Sequence, residues 1–113
     1  MATTMLQPTA ADRIFEALGD STRRAIVNLL SQGPKSVSSL AAPLGITLTA
    51  VAQHLQVLHA CGLLRTEKKG RVRMAEIDRQ GFAVLEQWVA MHRAMWETRL
   101  DRLGDVMGED GPE

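Results

Sequence analysis

The chain has 113 residues, with 13 basic and 13 acidic side chains, 45% hydrophobic residues and one cysteine, Cys61. That length suits one domain with a real core, and the apolar content argues against disorder except at the ends. A single thiol excludes an intrachain disulfide or a multi-thiolate metal centre, and with no hydrophobic leader or membrane-length apolar run a reduced, cytoplasmic protein is expected.

Met1 to Thr9 is small and polar, with Pro8, and is read as a mobile arm (residues 1–9). A first helix is predicted over Ala10 to Leu18, with Ile14, Phe15 and Leu18 on one face; Gly19 ends it. Asp20 or Ser21 caps a second helix, Thr22 to Leu30, that buries Ile26, Leu29 and Leu30 and stops at Gly33-Pro34. Ser36 caps a third, Val37 to Leu44, which Pro43 should distort at its end. Gly45 supplies a turn residue and Ile46 plugs the turn. Thr47 is the N-cap of a fourth helix, Leu48 to Ala60, with Val51, Leu55 and Leu58 facing the core and Gly62 closing it.

Leu63 to Glu67 and Arg71 to Ile77 then read as strands around Lys68-Lys69-Gly70, a hairpin. The last helix is predicted from Arg79 to about Met107, capped by Asp78. Its apolar residues span too wide an arc for one small domain to cover, so packing on a second copy is expected. The domain is drawn at residues 10–104, followed by an acidic, disordered tail at 105–113.

The zero net charge hides an uneven distribution. Between Arg65 and Arg73 lie five basic residues and one acid, Glu67, whereas Asp105, Glu109, Asp110 and Glu113 crowd the end. Aromatic residues are limited to Phe15, Phe82, Trp88 and Trp96. An aromatic platform for single-stranded nucleic acid is therefore not expected.

The fold class is mainly α with a small β-hairpin: a winged helix-turn-helix in the order α-α-α-α-β-β-α. The third and fourth helices around Gly45 form the helix-turn-helix, whose second helix is shaped to enter a major groove of double-stranded DNA. That helix offers Thr47, Thr49, Gln53, His54 and Gln56 outward. Gln53 suits bidentate pairing with adenine, and His54 suits donation to guanine or phosphate. In the wing, Arg71 and Arg73 are two apart and expected on one face; with Lys68 and Lys69 they would neutralise phosphates. The division is chemically sensible: charge positions the protein and neutral polar groups read bases.

The stretches ALGDSTRRAIVNLL (Ala17 to Leu30), ITLTAVAQHLQVLHACGLL (Ile46 to Leu64) and GRVRMAEID (Gly70 to Asp78) resemble the ArsR/SmtB family of winged-helix repressors. The ending WVAMHRAMWETRLDRL (Trp88 to Leu103) is similar to the final helix of one subgroup. The resemblance implies a homodimeric, autoregulatory repressor that reads an inverted-repeat promoter operator. It implies DNA contacts from Thr47, Thr49, Gln53, His54 and Arg71. It also implies an interface built from Ile14, Phe15, Leu85, Trp88, Val89, His92, Trp96, Leu100 and Leu103. Ala52 departs from the serine usual in relatives.

Many such relatives sense metals, but here the expected third helix holds no cysteine. His92 and Glu97, five apart, do not share a ligating face, so no metal and no cofactor are expected. A cross-subunit site using His92 stays open. Cys61 is read as a small apolar residue. Trp88 and Trp96, eight apart, are expected to pack an interface, with an apolar effector pocket as the alternative. Nothing suggests an enzyme: the three histidines are dispersed and no phosphate loop or carboxylate pair occurs. The rival function is a winged-helix protein-interaction module without sequence-specific DNA binding.

Overall fold

A computed structural model describes the backbone of residues 7–110 and the side chains of residues 7–104. Helix α1 (Ala10–Leu18) opens with a reciprocal capping box. The Asp12 N–H donates to Thr9 Oγ1 at 3.1 Å, and the Thr9 N–H donates to the Asp12 carboxylate at 2.9 Å, so two otherwise orphaned donors are satisfied. Thr9 therefore belongs to the helix start; residues 1–6 of the expected arm lie outside the described residues.

Helix α2 (Ser21–Leu30) is capped by Asp20 and buries Ile26, Val27 and Leu30. A short strand, β1 (Lys35–Ser36), follows. The expected third helix is split into a 3₁₀ turn, Val37–Leu40, and the four-residue α3, Ala41–Leu44. Proline explains the break. In a continuous α-helix the Pro43 ring would press on the Ser39 carbonyl, whereas in a first turn its missing N–H costs nothing. The distortion thus falls at the start of this segment and not at its end. Ser36 makes no side-chain cap; instead Ser39 Oγ donates to the Ser36 carbonyl at 2.7 Å.

Gly45 takes the left-handed conformation, φ +66°, and its N–H reaches back to the Ala41 and Ala42 carbonyls. A side chain there would strain the backbone. The chain then enters α4 (Leu48–Ala60), and the axis bends by 112° between Val37–Leu44 and Leu48–Ala60. That angle lies within the range of a helix-turn-helix.

Strands β2 (Leu64–Lys69) and β3 (Val72–Ile77) form the hairpin, and β1 pairs antiparallel on the far side of β3. The third strand was not expected; two residues are too few for an alternation to show. The first hairpin strand runs two residues nearer the tip than expected, to Lys69, the second starts one residue later, at Val72, and the turn itself is Gly70-Arg71. Lys68 and Lys69 therefore lie in a strand, and Arg71 lies in the turn.

Helix α5 (Arg79–Asp110) starts one residue after β3. Its helical backbone is described through Asp110; residues 111–113 of the expected tail lie outside the described residues. Gly81 meets the Gly62-Leu63 turn backbone to backbone, with no room for a Cβ. The core gathers Ile14, Ile26, Leu30, Leu40, Val51, Leu58, Leu63 and Leu64, with Phe82 and Leu85 of α5 packed against it.

Candidate nucleic-acid interface

On α4, Val51, Leu55 and Leu58 turn inward. Thr49, Gln53 and Gln56 recur at helical spacing on the solvent side, and all three are exposed. Thr47 is committed locally: its Oγ1 accepts the Ala50 N–H at 3.1 Å. Its hydroxyl proton is still available to an acceptor in a groove.

His54 departs from the outward set. It is half-buried and sits on the flank facing α2, its Nδ1 3.5 Å from Arg23 Nη1. Arg23 is itself held by a 2.6 Å bond from its Nε to the Ala17 carbonyl. The Asp20 carboxyl is held below its ordinary value, chiefly by the Arg23 N–H, then by the Thr22 N–H and the charges of Arg23 and His54. The cluster ties α4 to the start of α2. Nothing in the sequence linked Arg23 to a histidine 31 positions away.

The register of the hairpin sorts the wing's charges. Lys68 lies directly opposite Arg73, and Lys69 opposite Val72. Side chains directly opposite share a face. Lys68 and Arg73 therefore lie on the face of Thr66 and the buried Ala75, towards α4. Lys69 lies on the other face with Arg65, Glu67 and Met74, and Arg71 in the turn does not pair with Arg73. On that second face Arg65 Nε donates to Glu76 Oε1 at 2.7 Å, an exposed ion pair, whose bond and charge raise the Arg65 pKa further.

The expected interface residues divide sharply. Ile14 is 1% exposed and Leu85 packs on the same core, so both serve the protomer's own interior. A nine-residue helix has one inward strip, and Ala11, Ile14 and Ala17 occupy it. Phe15, at the strip's edge, meets Trp88 edge-to-face at 4.8 Å, and Trp88 stacks on His92 at 3.9 Å. His92 Nδ1 lies 2.8 Å from the Trp88 carbonyl. A carbonyl only accepts, so Nδ1 carries the proton. Beyond this stack α5 leaves Val89, Met91, Met95, Trp96, Leu100 and Leu103 exposed, Trp96 by 66%.

Among the described residues no group of three or more His, Cys, Asp or Glu side chains is placed to hold a metal ion. Cys61 is half-buried and donates to the Leu58 carbonyl at 3.3 Å. Among the described residues no single helix is long and apolar enough to cross a membrane.

Two helices crossing at this angle, an exposed polar row on the second and a cationic hairpin beside it define a winged helix-turn-helix DNA-binding domain. The chain belongs to the ArsR family of bacterial transcriptional regulators. The family profile described as bacterial regulatory protein, arsR family, matches residues 20–66. The chain is 43% identical over 74 residues to the HTH-type transcriptional regulator Rv2034 of Mycobacterium tuberculosis (strain ATCC 25618 / H37Rv), covering 66% of this chain and 69% of that one. An ArsR-like transcriptional regulator from Rhodococcus sp. RHA1 superposes with a TM-score of 0.76 at 31% identity, covering 86% of this chain and 92% of the other. The homodimeric winged helix-turn-helix DNA-binding domain of a possible ArsR-family regulator from Mycobacterium bovis gives a TM-score of 0.60 at 25% identity, covering 82% and 83%. The family and these relatives are regulators of transcription, not enzymes.

Proposed function

We propose that this regulator is a cytoplasmic, sequence-specific repressor that binds as a homodimer to an inverted-repeat operator in a promoter, its own included. The observation that carries the reading is the juxtaposition on one side of the protomer of two features. One is a neutral polar row, Thr49, Gln53 and Gln56 on α4. The other is the pair of wing cations, Lys68 and Arg73, across the hairpin from one another. Base edges are read by the first kind of group and phosphates neutralised by the second. Thr47 stands at the start of the row, and His54 flanks it with its other ring nitrogen. Lys69 and Arg71 add charge at the wing tip.

Dimerisation is supported by the apolar side chains of α5, from Val89 to Leu103, together with Phe15. An exposed strip of this extent marks an association surface, and the M. bovis neighbour is homodimeric. Trp88 and His92 border that strip through their stack. A two-fold dimer places two recognition helices on half-sites about one DNA turn apart. Occupying promoter DNA in this way obstructs transcription, hence repression.

The test is fluorescence anisotropy on the DNA just upstream of the gene and on a scrambled duplex, at about 0.15 M salt. A specificity ratio of ~10³ or more is expected. Gln53→Ala should reduce the discrimination by about 1–3 kcal/mol per lost bidentate contact. Equal, salt-insensitive binding to both duplexes would point to a protein-interaction module instead.

A further inference from the structure

Between α4 and the wing the surface folds into a groove of about 400 Å³. Val37 and Leu55 line its apolar part, Gln56 and His59 stand on the helix side, and Thr66 and Arg73 on the wing side. Ala52, also in the lining, is too small to fill it. No acid is among the described residues of this lining, so its polar groups are a guanidinium, an imidazole, an amide and a hydroxyl. All can donate hydrogen bonds, and one is a permanent cation.

The cation is held in place. Arg73 Nη1 donates to Thr66 Oγ1 at 3.1 Å, which leaves most of its five N–H donors for another partner. Lys68 stands directly opposite Arg73 in the register. Like charges facing one another across a hairpin are unfavourable unless an anion joins them. The one ion pair among the described residues, Arg65–Glu76, lies on the other face. That pair lines a larger cleft of about 800 Å³ at the base of the wing, where the charge is already matched.

Position identifies the anion. Ala52, Gln56 and His59 form one helical row, and Thr49, Gln53 and Gln56 the next, with Gln56 common to both. An anion in the groove therefore lies one row from the residues that read bases. We propose that the groove seats a single backbone phosphate of the bound DNA, held by Arg73 and His59, with Thr66 as the positioning residue that orients Arg73. This rests on the DNA-binding reading above.

The test is a salt titration by anisotropy, on a labelled duplex of the upstream DNA and on a random duplex, with melting curves confirming that each variant is folded. Arg73→Gln should lower the slope of log K against log salt by about 0.9 per wing. His59→Ala and Thr66→Val should each weaken binding to both duplexes alike by about tenfold, the worth of a hydrogen bond to a charged group. Thr66→Ser should restore it. Because the two groups serve one phosphate, His59→Ala should cost little more once Arg73 is Gln. A wild type with a steep salt slope and variants that change nothing would overturn the seat and leave DNA binding intact. Losses confined to the upstream duplex would make these residues base readers, which also overturns it. A wild type that binds neither duplex would sink the DNA reading and the seat together.

Discussion

Gly81→Ala sets two effects of opposite sign against each other in the first turn of α5. Replacing a helical glycine with alanine ordinarily stabilises by about 0.5–1 kcal/mol, because the unfolded chain loses freedom it would otherwise have to surrender. Here the new Cβ would stand 2.1 Å from the Gly62 carbonyl oxygen, 2.6 Å from its carbon and 2.9 Å from Leu63 Cα. All three are backbone atoms, so no rotamer change relieves the clash and the backbone itself must shift. Overpacking of this kind costs about 1–3 kcal/mol, and the turn it displaces joins the recognition helix to the wing. The steric effect wins, for a net loss of ~1–2 kcal/mol and a fall in Tm of roughly 5–10 °C. Gly104→Ala is the internal control: it lies in the same helix with nothing within 4 Å of the added atom, so the variant should melt no lower than the wild type. Thermal denaturation followed by circular dichroism, at one fixed protein concentration because a dimer's Tm depends on it, decides the matter. A Gly81→Ala protein that melts with or above the Gly104→Ala protein would refute the backbone contact between α5 and the Gly62-Leu63 turn.

Trp96→Ala should shift the assembly towards monomer, by up to ~3–5 kcal/mol if a partner buries the ring, as read by sedimentation equilibrium; an unaltered tight dimer would take α5 beyond His92 out of the interface. Thr47→Ala orphans the Ala50 N–H at the start of the recognition helix and should cost about 1 kcal/mol of stability in chemical denaturation, with Thr47→Ser close to neutral. The Asp20 cap should show itself in acid. Its carboxyl titrates below the ordinary 3.8 in the folded state, so its contribution is present at neutral pH and is lost as pH falls through the folded value. Asn is also a good N-cap. The stability gap between wild type and Asp20→Asn should therefore close as the pH falls from above 3.8 through the lowered folded value; a gap constant with pH would mean the charge contributes nothing.

The order of helices and the hairpin was legible because each boundary has a local chemical cause. Asp20 and Thr47 cap helices, Gly45 turns, and Val51, Leu55 and Leu58 keep helical period. Misreadings arose where a distant partner decides the outcome. β1 exists only because β3 offers it an edge. The split before Ala41 depends on where Pro43 falls in a turn, and Arg71 left its strand because β2 extends to Lys69, which pairs with Val72 and leaves Arg71 in the two-residue turn. In the site, the polar row and the wing's charge could be read from residue type, but their directions could not. His54 swings towards Arg23, and only the register separates Lys68 from Lys69. Ile14 and Phe15 are neighbours in a pattern that does not say which of them the protomer keeps for itself.

A single residue, Asp78, lies between the wing and the long helix. Its N–H donates to the Leu63 carbonyl, and its carboxylate accepts from the Gln80 N–H, both at 2.9 Å. The junction therefore has no slack. In the proposed dimer, a rotation of one α5 against its partner would be geared directly into the wing, and through the Gly62 turn into the recognition helix. One residue inserted at Asp78 would turn the helix by about 100° relative to the hairpin, and the two reading heads would lose their phase on the DNA even though every contact residue remained in place.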